Sequence, residues 1–509
     1  MTHEYVIIGA GPAGLQLSAQ FQRDGRDHVV LEAGASAGTF FQTYPRHRQL
    51  ISINKIHTGS ADPEFNLRAD WNSLLTDDPA KLFGRYSSRY FPAADDLVRY
   101  LADFSRGLPV RYHTRVTKIA RRDDVFVLND EIEARRVVVA TGVSQLYVPA
   151  DIPGIELCER YDTFDTDPAS FTNQRVLIIG KGNSGFETAD ALVEHAAVIH
   201  VAGPQSVRLA WQTHYVGHLR AVNNNFLDTY QLKSQNAVLD GTIEEITARS
   251  EGGFRIRFRY ARTVEATREI EYDRIIACTG FRFDASIFDP SCRPTLVIND
   301  RFPAQTSAYE SANVPGLYFA GTLTQQRDFK RSTSGFIHGF RYGVRALSRI
   351  LDQRHHDTPW PARPLDATPE AITDAIIARI NVTSALWQQF AVLADVVRLS
   401  APAYLEEVPV AYLKEGGLGD GPVLAVTLEY GPDHDQVDPF DITVPRIAEN
   451  DATAAHDASY LHPVVRLHRD GRVPAEHHLA ENLENHWNLP AVHHQPLAQF
   501  VKAVLADHV

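Results

Sequence analysis

The sequence predicts an α/β fold in which two similar strand–glycine turn–helix units are followed by a C-terminal α+β domain. The first observation is a short apolar strand at residues 5–8 that runs into a glycine-rich turn and then a helix. The second is the recurrence of this pattern from residue 175. The third is the linker PWPARP at 359–364, after which helices and strands follow in a different order. An internal repeat of this kind predicts two nucleotide sites of the same type.

The first unit carries Gly9, Gly11 and Gly14 in the pattern G-x-G-x-x-G. The first glycine makes the tight turn, the second lets a pyrophosphate approach the backbone, and the third allows close packing of helix and strand. The helix N-terminus offers free N–H groups to the phosphates. A second apolar strand ends in Glu32, where a carboxylate binds a ribose diol. This combination predicts a Rossmann-like dinucleotide site.

The second unit carries Gly180, Gly182 and Gly185 between a strand and a helix. When the two units are aligned, Gly203 stands in the position of Glu32, so the ribose-binding acid is missing there. A carboxylate would repel a 2′-phosphate, and its absence, with Ser206 and Arg208 just beyond, favours NADPH over NADH. The alternative is that Arg208 is a solvated surface arginine.

Three further strand-to-glycine turns complete the pattern. RRVVVATG ends in Thr141 and Gly142, RIIACTG ends in Thr279 and Gly280, and VPGLYFAGT contains Gly321 and Thr322. RIIACTG is expected to return the chain to the first domain. The predicted domains are residues 1–165 with 276–360, residues 166–275, and residues 361–509.

The C-terminal segment reads as two amphipathic helices over 368–399, followed by strands, the last with an Asp470-Gly471 hairpin turn. Four histidines lie there near two glutamates. A metal site is one interpretation, but no ligand spacing supports it, so surface histidines are favoured and no metal is predicted. These residues are His477, His478, His493, His494, Glu481 and Glu484.

Composition narrows the function classes. The net charge of −13 argues against a nucleic-acid-binding surface. No apolar run approaches the ~18 residues of a membrane span, and the chain starts directly in its first strand, so we expect a cytoplasmic protein without membrane contact. Cys158, Cys278 and Cys292 are scattered and form no C-x-x-C, which disfavours a redox-active dithiol. The sequence is compatible with a homo-oligomer and does not determine the oligomeric state.

The paired glycine turns, the two Thr-Gly turns and the closing strand together resemble the flavoproteins with two dinucleotide-binding domains. That superfamily includes glutathione-reductase-like enzymes, flavin-containing monooxygenases, Baeyer–Villiger monooxygenases and N-hydroxylases. The resemblance implies FAD in the first domain and NAD(P)H in the second. GNSG at 182–185 is similar to the monooxygenase form, and Thr322 stands where disulfide reductases usually carry Asp. The monooxygenase linker motif F-x-G-x-x-x-H-x-x-x-[WFY] is incomplete here, with Tyr161 at its aromatic end and Glu159 near its histidine position.

A closer match covers nearly the whole chain. The strings YPRHRQLISINK, FNLRADWNSLL, GNSGFETAD and WQTHYVGHLRAVNNNFLDTYQLKS resemble the FAD-dependent oxidoreductase domain-containing family. Its animal members include a lumenal flavoprotein linked to endoplasmic-reticulum-associated degradation. Neither a signal peptide nor a KDEL-like ending is present, so we expect a cytoplasmic bacterial relative instead.

The resemblance implies an NADPH-dependent FAD monooxygenase that uses a C4a-(hydro)peroxyflavin and O₂ to oxygenate a small polar substrate, with N-hydroxylation of an amine or amino acid favoured. The alternative is a reductase or dehydrogenase that passes electrons from NAD(P)H to a partner protein or small molecule. A third interpretation is a binding or scaffold protein that keeps FAD for stability. The cofactor supplies the chemistry, so no side-chain nucleophile is required.

Candidate residues follow from these assignments. Around the flavin edge we expect Asn54, Lys55 and Asn183, with a surface charge as the alternative for Lys55. The loop 211–225 is expected to cover the nicotinamide and bind substrate through Trp211, His214, Tyr215 and Arg220, with Arg220 holding a carboxylate. The alternative is a structural connection whose polar groups bind one another. Further cofactor contacts are expected from Pro12, Ala13, Ala33, Phe41 and Ser184.

Overall fold

The computed structural model describes residues 2–262, 264 and 266–506. Its first sheet has seven strands in the order β3-β2-β1-β6-β5-β4, with β18 paired to β6. Elements are numbered in chain order throughout. The strands are β1 (Thr2–Ile8), β2 (His28–Leu31), β3 (Val110–Arg111), β4 (Ile119–Arg122), β5 (Val125–Leu128), β6 (Ile132–Val139) and β18 (Leu317–Phe319).

The centre of this sheet is parallel, as the buried apolar runs predict. Val6 pairs with Val29 of β2 and Val137 of β6, and all three side chains are buried. Because strands covered on both faces read as continuous apolar runs, the buried parts of these strands, residues 5–8, 29–31 and 137–139, contain no charged side chain. The helices of this part are α1 (Pro12–Arg23), α2 (Thr39–Thr43), α3 (Pro63–Asn66), α4 (Ala94–Phe104) and α8 (Ile337–His355).

The second sheet repeats this logic in the order β13-β12-β11-β10-β9-β14-β8. Parallel β9 and β10 flank the helix that follows the second glycine turn. The strands are β8 (Glu159–Arg160), β9 (Arg175–Ile179), β10 (Val198–Gly203), β11 (Asn236–Ala248), β12 (Phe254–Tyr260), β13 (Thr267–Tyr272) and β14 (Arg274–Ala277). The helices are α5 (Asn183–Leu192), α6 (Ala210–Thr213) and α7 (Asn225–Asp228).

The third sheet is antiparallel, in the order β19-β21-β20-β22-β23-β24. Its strands are β19 (Ala362–Pro364), β20 (Leu393–Arg398), β21 (Ala403–Pro409), β22 (Val423–Glu429), β23 (His462–Arg469) and β24 (Arg472–His478). The helices here are α9 (Pro369–Val382), α10 (Ala385–Gln388), α11 (Val410–Lys414) and α12 (Gln495–Ala506). Two-stranded pairs are formed by β7 (Gln145–Leu146) with β15 (Phe281–Arg282) and by β16 (Leu296–Val297) with β17 (Phe302–Pro303).

Two expectations need correction. RIIACTG does not return the chain to the first sheet, because β14 pairs with β9 and β8 in the second. The predicted second helix within 368–399 is wrong beyond Gln388, because residues 393–398 form β20, where Val396 and Val397 are fully buried. The 359–364 linker is anchored, since Trp360 is buried and β19 extends the third sheet. The domain boundaries themselves remain predictions.

The third sheet shares a core with the first unit. Leu405 and Val408 pack in the same buried cluster as Tyr5 and Leu347. Across the same boundary, the Arg379 guanidinium contacts Glu64 and Asp395. The C-terminal layer is therefore part of the framework around the first unit. No helix in the described ranges is long and apolar enough to cross a membrane.

Candidate functional site

The first glycine turn has the geometry that its spacing predicts. A Cβ on Gly14 would lie 2.0 Å from the Gly9 carbonyl oxygen, so helix and turn are in direct contact. A Cβ on Gly11 would meet nothing within 4 Å. The space above Gly11 is therefore open, as a pyrophosphate binding to the backbone requires.

Glu32 lies at the end of β2 with its carboxylate buried. Its oxygens accept hydrogen bonds from the backbone N–H of Ala10 and Gly34, both at 2.8 Å, and from the Thr39 hydroxyl at 2.9 Å. Since an ionised carboxylate offers about four acceptor positions, roughly one is left for a ribose hydroxyl. Glu32 thus orders the turn and keeps about one acceptor position free. Ala33 follows it and is half-buried.

A cavity of ≈360 Å³ lies between the two units. Most of its wall is apolar, with rings such as Phe40, Tyr44, Phe281 and Phe336. The predicted cofactor residues in its wall are Gly11, Pro12, Ala13, Phe41, Thr141, Gly142, Gly321 and Thr322 from the part of the chain around the first sheet, with Ser184 from the second glycine turn; Asn183, predicted at the flavin edge, lies beside Ser184. The structure therefore gathers residues from both glycine turns around one space.

The second glycine turn copies the first. A Cβ on Gly185 would lie 2.1 Å from the Gly180 carbonyl oxygen, and one on Gly182 would meet nothing within 4 Å. Thr279 and Gly280 do not line the cavity. They bind Tyr147 instead, with the Thr279 hydroxyl donating to its carbonyl and the Gly280 carbonyl accepting its N–H at 2.9 Å.

A carboxylate lies next to Gly203 after all, supplied by the neighbouring strand. Asp240 of β11 pairs in register with Gly203, and its side chain contacts Lys181 and, at 2.7 Å, Arg262. These two cations hold the pKa of Asp240 below its usual value, the hydrogen bond from Lys181 contributing most. Lys181 lies inside the second glycine turn and was not predicted as a site residue, because the glycine pattern does not specify the residues between the glycines. Ser206 and Arg208 are exposed beyond the end of β10.

The three residues expected at the flavin edge have different surroundings. Asn183 lines the cavity, but its amide holds the following loop, accepting from the Arg220 N–H at 3.0 Å and donating to the His218 carbonyl at 2.9 Å. Asn54 is buried and donates to the Ser87 carbonyl at 2.7 Å, outside the cavity wall. Lys55 is exposed and also lies outside that wall.

The loop expected to bind substrate divides into two parts. Trp211 packs against Phe440, with ring centroids 5.1 Å apart, and His214 packs against Tyr430, at 4.6 Å. Neither lines the cavity, because the loop after β22 draws both rings towards the third sheet. The expectation that both residues bind substrate beside the nicotinamide stays a prediction, which this placement outside the cavity wall does not support.

Tyr215 and Arg220 lie closer to the cavity. The Tyr215 hydroxyl accepts a hydrogen bond from Gln325, and burial raises its pKa to about 12. The Arg220 guanidinium lies 5.0 Å from the centroid of the Trp71 ring, which lines the cavity. Within the described ranges no carboxylate pairs with this guanidinium, and burial lowers its pKa. Arg220 is therefore a half-buried cation next to the cavity without a counter-ion among the residues that the structure describes.

Glu187 is a cavity residue that no motif singled out. It projects from α5, is buried, and accepts a hydrogen bond from the Tyr161 hydroxyl. Burial raises the pKa of its carboxyl to about 7, against the opposing effect of the Tyr161 hydrogen bond. Tyr161 also stacks on Tyr44, at 5.6 Å between ring centroids. The linker aromatic noted in the sequence thus contacts a titratable group in the cavity wall.

All three cysteines are free and buried, and none lines the cavity. Burial raises the pKa of Cys158 to about 12 and that of Cys278 further, so both are thiols at neutral pH. Among the described residues no group of three or more His, Cys, Asp or Glu is placed to hold a metal ion.

Comparison with known proteins agrees with this architecture. The family described as "Pyridine nucleotide-disulphide oxidoreductase" matches residues 6–321. The mouse "FAD-dependent oxidoreductase domain-containing protein 2" is 39% identical, over 99% of this chain and 84% of the relative.

Two solved structures share the fold at low identity. A flavin-containing monooxygenase from Stenotrophomonas maltophilia is 21% identical with a TM-score of 0.52, over 68% of this chain and 99% of that one. The bacillithiol disulfide reductase from Staphylococcus aureus is 18% identical with a TM-score of 0.51, over 70% and 100%. The predicted fold class is thereby confirmed, and the chain belongs to the FAD-dependent oxidoreductase domain-containing family.

Proposed function

We propose that this FAD-dependent oxidoreductase is an NADPH-dependent monooxygenase that oxygenates a small polar substrate with O₂, most directly by N-hydroxylation of an amine bearing a carboxylate. The observation that carries the proposal is a single cavity, walled by both glycine turns, that has no cysteine in its lining. A site without a dithiol is suited to passing electrons to a small molecule rather than to a disulfide.

The first unit has the groups that FAD needs. Gly11 leaves space for the pyrophosphate, Glu32 keeps an acceptor for the ribose, and Thr322 and Ala13 lie in the wall beyond. When bound, FAD supplies the hydride acceptor and the activation of oxygen, while the chain positions it and excludes water. The largely aromatic and aliphatic lining suits that exclusion.

NADPH would bind at the second turn. Gly182 leaves the equivalent open space. Lys181 and Arg262 form ion pairs with Asp240, whereas Arg208 is exposed beyond the end of β10. Two of these cations neutralise Asp240, and Arg208 is left for a 2′-phosphate. This arrangement supports the preference for NADPH.

Arg220 supports a substrate with a negative charge. A half-buried guanidinium without a counter-ion is stabilised by an anion, and its fork of donors matches a carboxylate. Trp71, which lies beneath it, gives that cation a fixed position at the cavity wall. The substrate amine would then lie further into the cavity.

A reductase that passes electrons to a partner protein or small molecule is the second candidate. The match of residues 6–321 to a pyridine nucleotide–disulphide oxidoreductase family favours it. Such an enzyme would reduce its flavin with NADPH, form no oxygenated product and need no contribution from Arg220.

The test compares wild type, Arg220→Ala and Arg220→Lys on a panel of amines with and without carboxylates. Wild type should convert a carboxylate-bearing amine to a product heavier by one oxygen atom, detected by mass spectrometry. Arg220→Ala should lose most of this product while flavin reduction by NADPH persists and peroxide rises. Trp211→Ala is the matched control, because Trp211 belongs to the same loop but lies outside the cavity. Reduced flavin and peroxide without product across the whole panel would favour the reductase.

A further inference from the structure

His338 is a buried polar side chain that the proposed function leaves unused. It is 1% exposed, and it lies in the wall of the cavity. Neither ring nitrogen has a hydrogen-bond partner in the part of the chain that the structure describes. An unsatisfied buried polar group costs about 1–3 kcal/mol. We therefore expect a ligand bound in the cavity to supply the missing hydrogen-bond partner.

The ring of His338 is held in place by stacking. Its centroid lies 4.1 Å from that of Trp71, at an interplanar angle of 23°, and 5.9 Å from that of Phe336. The Trp71 indole N–H donates to the Arg68 carbonyl at 3.1 Å, which fixes the tryptophan in turn. The imidazole nitrogens are therefore presented in a defined plane.

The N-terminus of α8 presents donors to the same cavity. The helix is 19 residues long and begins at Ile337, and no side chain caps it. In the described ranges the backbone N–H groups of Ile337 and His338 have no acceptor. Phe336, Ile337 and His338 all line the cavity. Unused backbone donors and an unused imidazole thus meet at one part of its wall.

The imidazole is uncharged in this setting. Burial, with smaller effects from Arg341 and Arg220, holds the pKa of His338 well below its ordinary value. A neutral imidazole donates from one nitrogen and accepts at the other. Because the two nitrogens point in different directions within the ring plane, one of them at a time can pair with a given group in the cavity, as donor or as acceptor.

We propose that His338 hydrogen-bonds to the pyrimidine edge of the FAD isoalloxazine ring. That edge alternates carbonyl oxygens, ring nitrogen and N–H in one plane, so one His338 nitrogen and the free N–H groups of α8 can each bind a different atom of it. Reduction of the flavin places negative charge on this edge, and preorganised donors stabilise charge that develops in a reaction. His338 is thus a flavin-positioning residue that favours the reduced cofactor. The inference needs FAD in the cavity but not the monooxygenase reaction.

The test replaces His338 by Phe and by Gln. His338→Phe keeps a flat ring on Trp71 but removes both nitrogens, whereas His338→Gln restores an amide donor and acceptor. For each variant, the Kd of the apoprotein for FAD and the midpoint potential of the bound flavin are measured. His338→Phe should bind FAD about tenfold more weakly and have a lower midpoint potential, and His338→Gln should recover much of both.

Apoprotein stability separates this role from a structural one. Because His338→Phe removes two unsatisfied nitrogens, the Tm of its apoprotein should equal or exceed that of wild type. His338→Leu carries the same expectation for Kd and potential should Phe not fit. Wild-type Kd and potential in His338→Phe would overturn the inference, as would an effect confined to the KM for NADPH. A protein that binds FAD normally but oxygenates nothing would contradict the proposed function and leave His338 in place.

Discussion

At the scale of single residues, the glycines of each turn separate into those that contact protein and those that face open space. Gly11 belongs to the second kind, so Gly11→Val should fold with an unchanged apoprotein Tm yet fail to bind FAD, because the side chain fills the pyrophosphate space. The measurement is the ratio of flavin to protein absorbance after addition of FAD, together with the Tm.

Gly14 and Gly182 supply the controls. Gly14→Ala should lower the Tm, because its Cβ would lie 2.0 Å from a backbone oxygen. Gly182→Val should keep FAD but lose reduction by NADPH, since the open space it fills belongs to the second turn. A yellow Gly11→Val protein would show that the dinucleotide lies elsewhere.

Glu187 gives a pH-dependent prediction. Burial raises its pKa from 4.5 to about 7, so the folded state holds the proton more tightly than the unfolded chain. Stability from this group is complete below pH 4.5 and is lost as the pH rises through 7. Glu187→Gln should therefore gain stability relative to wild type as the pH rises, by at most ~3 kcal/mol.

The check is the Tm of both apoproteins at pH 5 and pH 8. Tyr161→Phe is the informative companion, because the Tyr161 hydroxyl lowers the Glu187 pKa and its removal should raise that pKa further. A Tm difference between Glu187→Gln and wild type that is equal at both pH values would contradict the raised pKa.

At the scale of elements, local patterns predicted the turns and strands but not which strands and side chains contact one another. The G-x-G-x-x-G spacings gave both turns, and the Asp470-Gly471 dipeptide gave the β23–β24 hairpin, whose pairing includes Arg469 with Arg472. In these cases the residues that decide the structure are adjacent in sequence. Their physical requirements can therefore be read along the chain.

The errors arose where long-range contacts decide. Residues 393–398 resemble a helix by themselves, but burial between β21 and β22 makes them a strand. Trp211 was expected to lie at the cavity, but it packs against Phe440, which lies more than two hundred positions further along the chain. Glu187 and His338 carried no motif, because only the fold brings them to the cavity. Tertiary context overrides local preference in each case.

The contact between α9 and β20 supports a stability prediction. Arg379 donates to the fully buried carboxylate of Asp395 at 3.0 Å and also contacts Glu64 of α3. Removing one partner of a buried ion pair costs about 3–5 kcal/mol, because the other charge stays buried. Arg379→Ala should therefore lower the Tm substantially.

This penalty should depend on pH. Burial already raises the Asp395 pKa to about 6, and Arg379 opposes that rise. Without the arginine the pKa rises further, so Arg379→Ala should lose more stability at pH 8 than at pH 5.5. The control is Arg257→Ala, whose ion pair with Glu244 is exposed on β12 and contributes little. Equal Tm losses for the two variants would show that the contacts of Arg379 with Glu64 and Asp395 do not stabilise the packing of α3, α9 and β20.

At the scale of the whole molecule, charge opposes the proposed coenzyme. The chain carries a net charge of −13, and NADPH is itself a polyanion. Local cations must therefore offset the long-range repulsion, and screening by salt should matter. Lys181 and Arg262 are occupied by Asp240, whereas the exposed Arg208 has no ion-pair partner within the described ranges.

This difference makes Arg208 the residue on which the preference for NADPH depends. A hydrogen bond to a charged group contributes about 1.5–3 kcal/mol, so Arg208→Ala should raise the KM for NADPH about tenfold or more. The KM for NADH, which lacks the 2′-phosphate, should change little and serves as the internal control. Arg23→Ala, at an exposed position on α1 already paired with Asp24, controls for the loss of one positive charge anywhere on the surface.

Flavin reduction is followed anaerobically at several salt concentrations, so that the result does not depend on oxygenation. Equal use of both coenzymes by wild type would refute the assignment. An equal rise in both KM values would instead place Arg208 at the pyrophosphate, where the two coenzymes are identical.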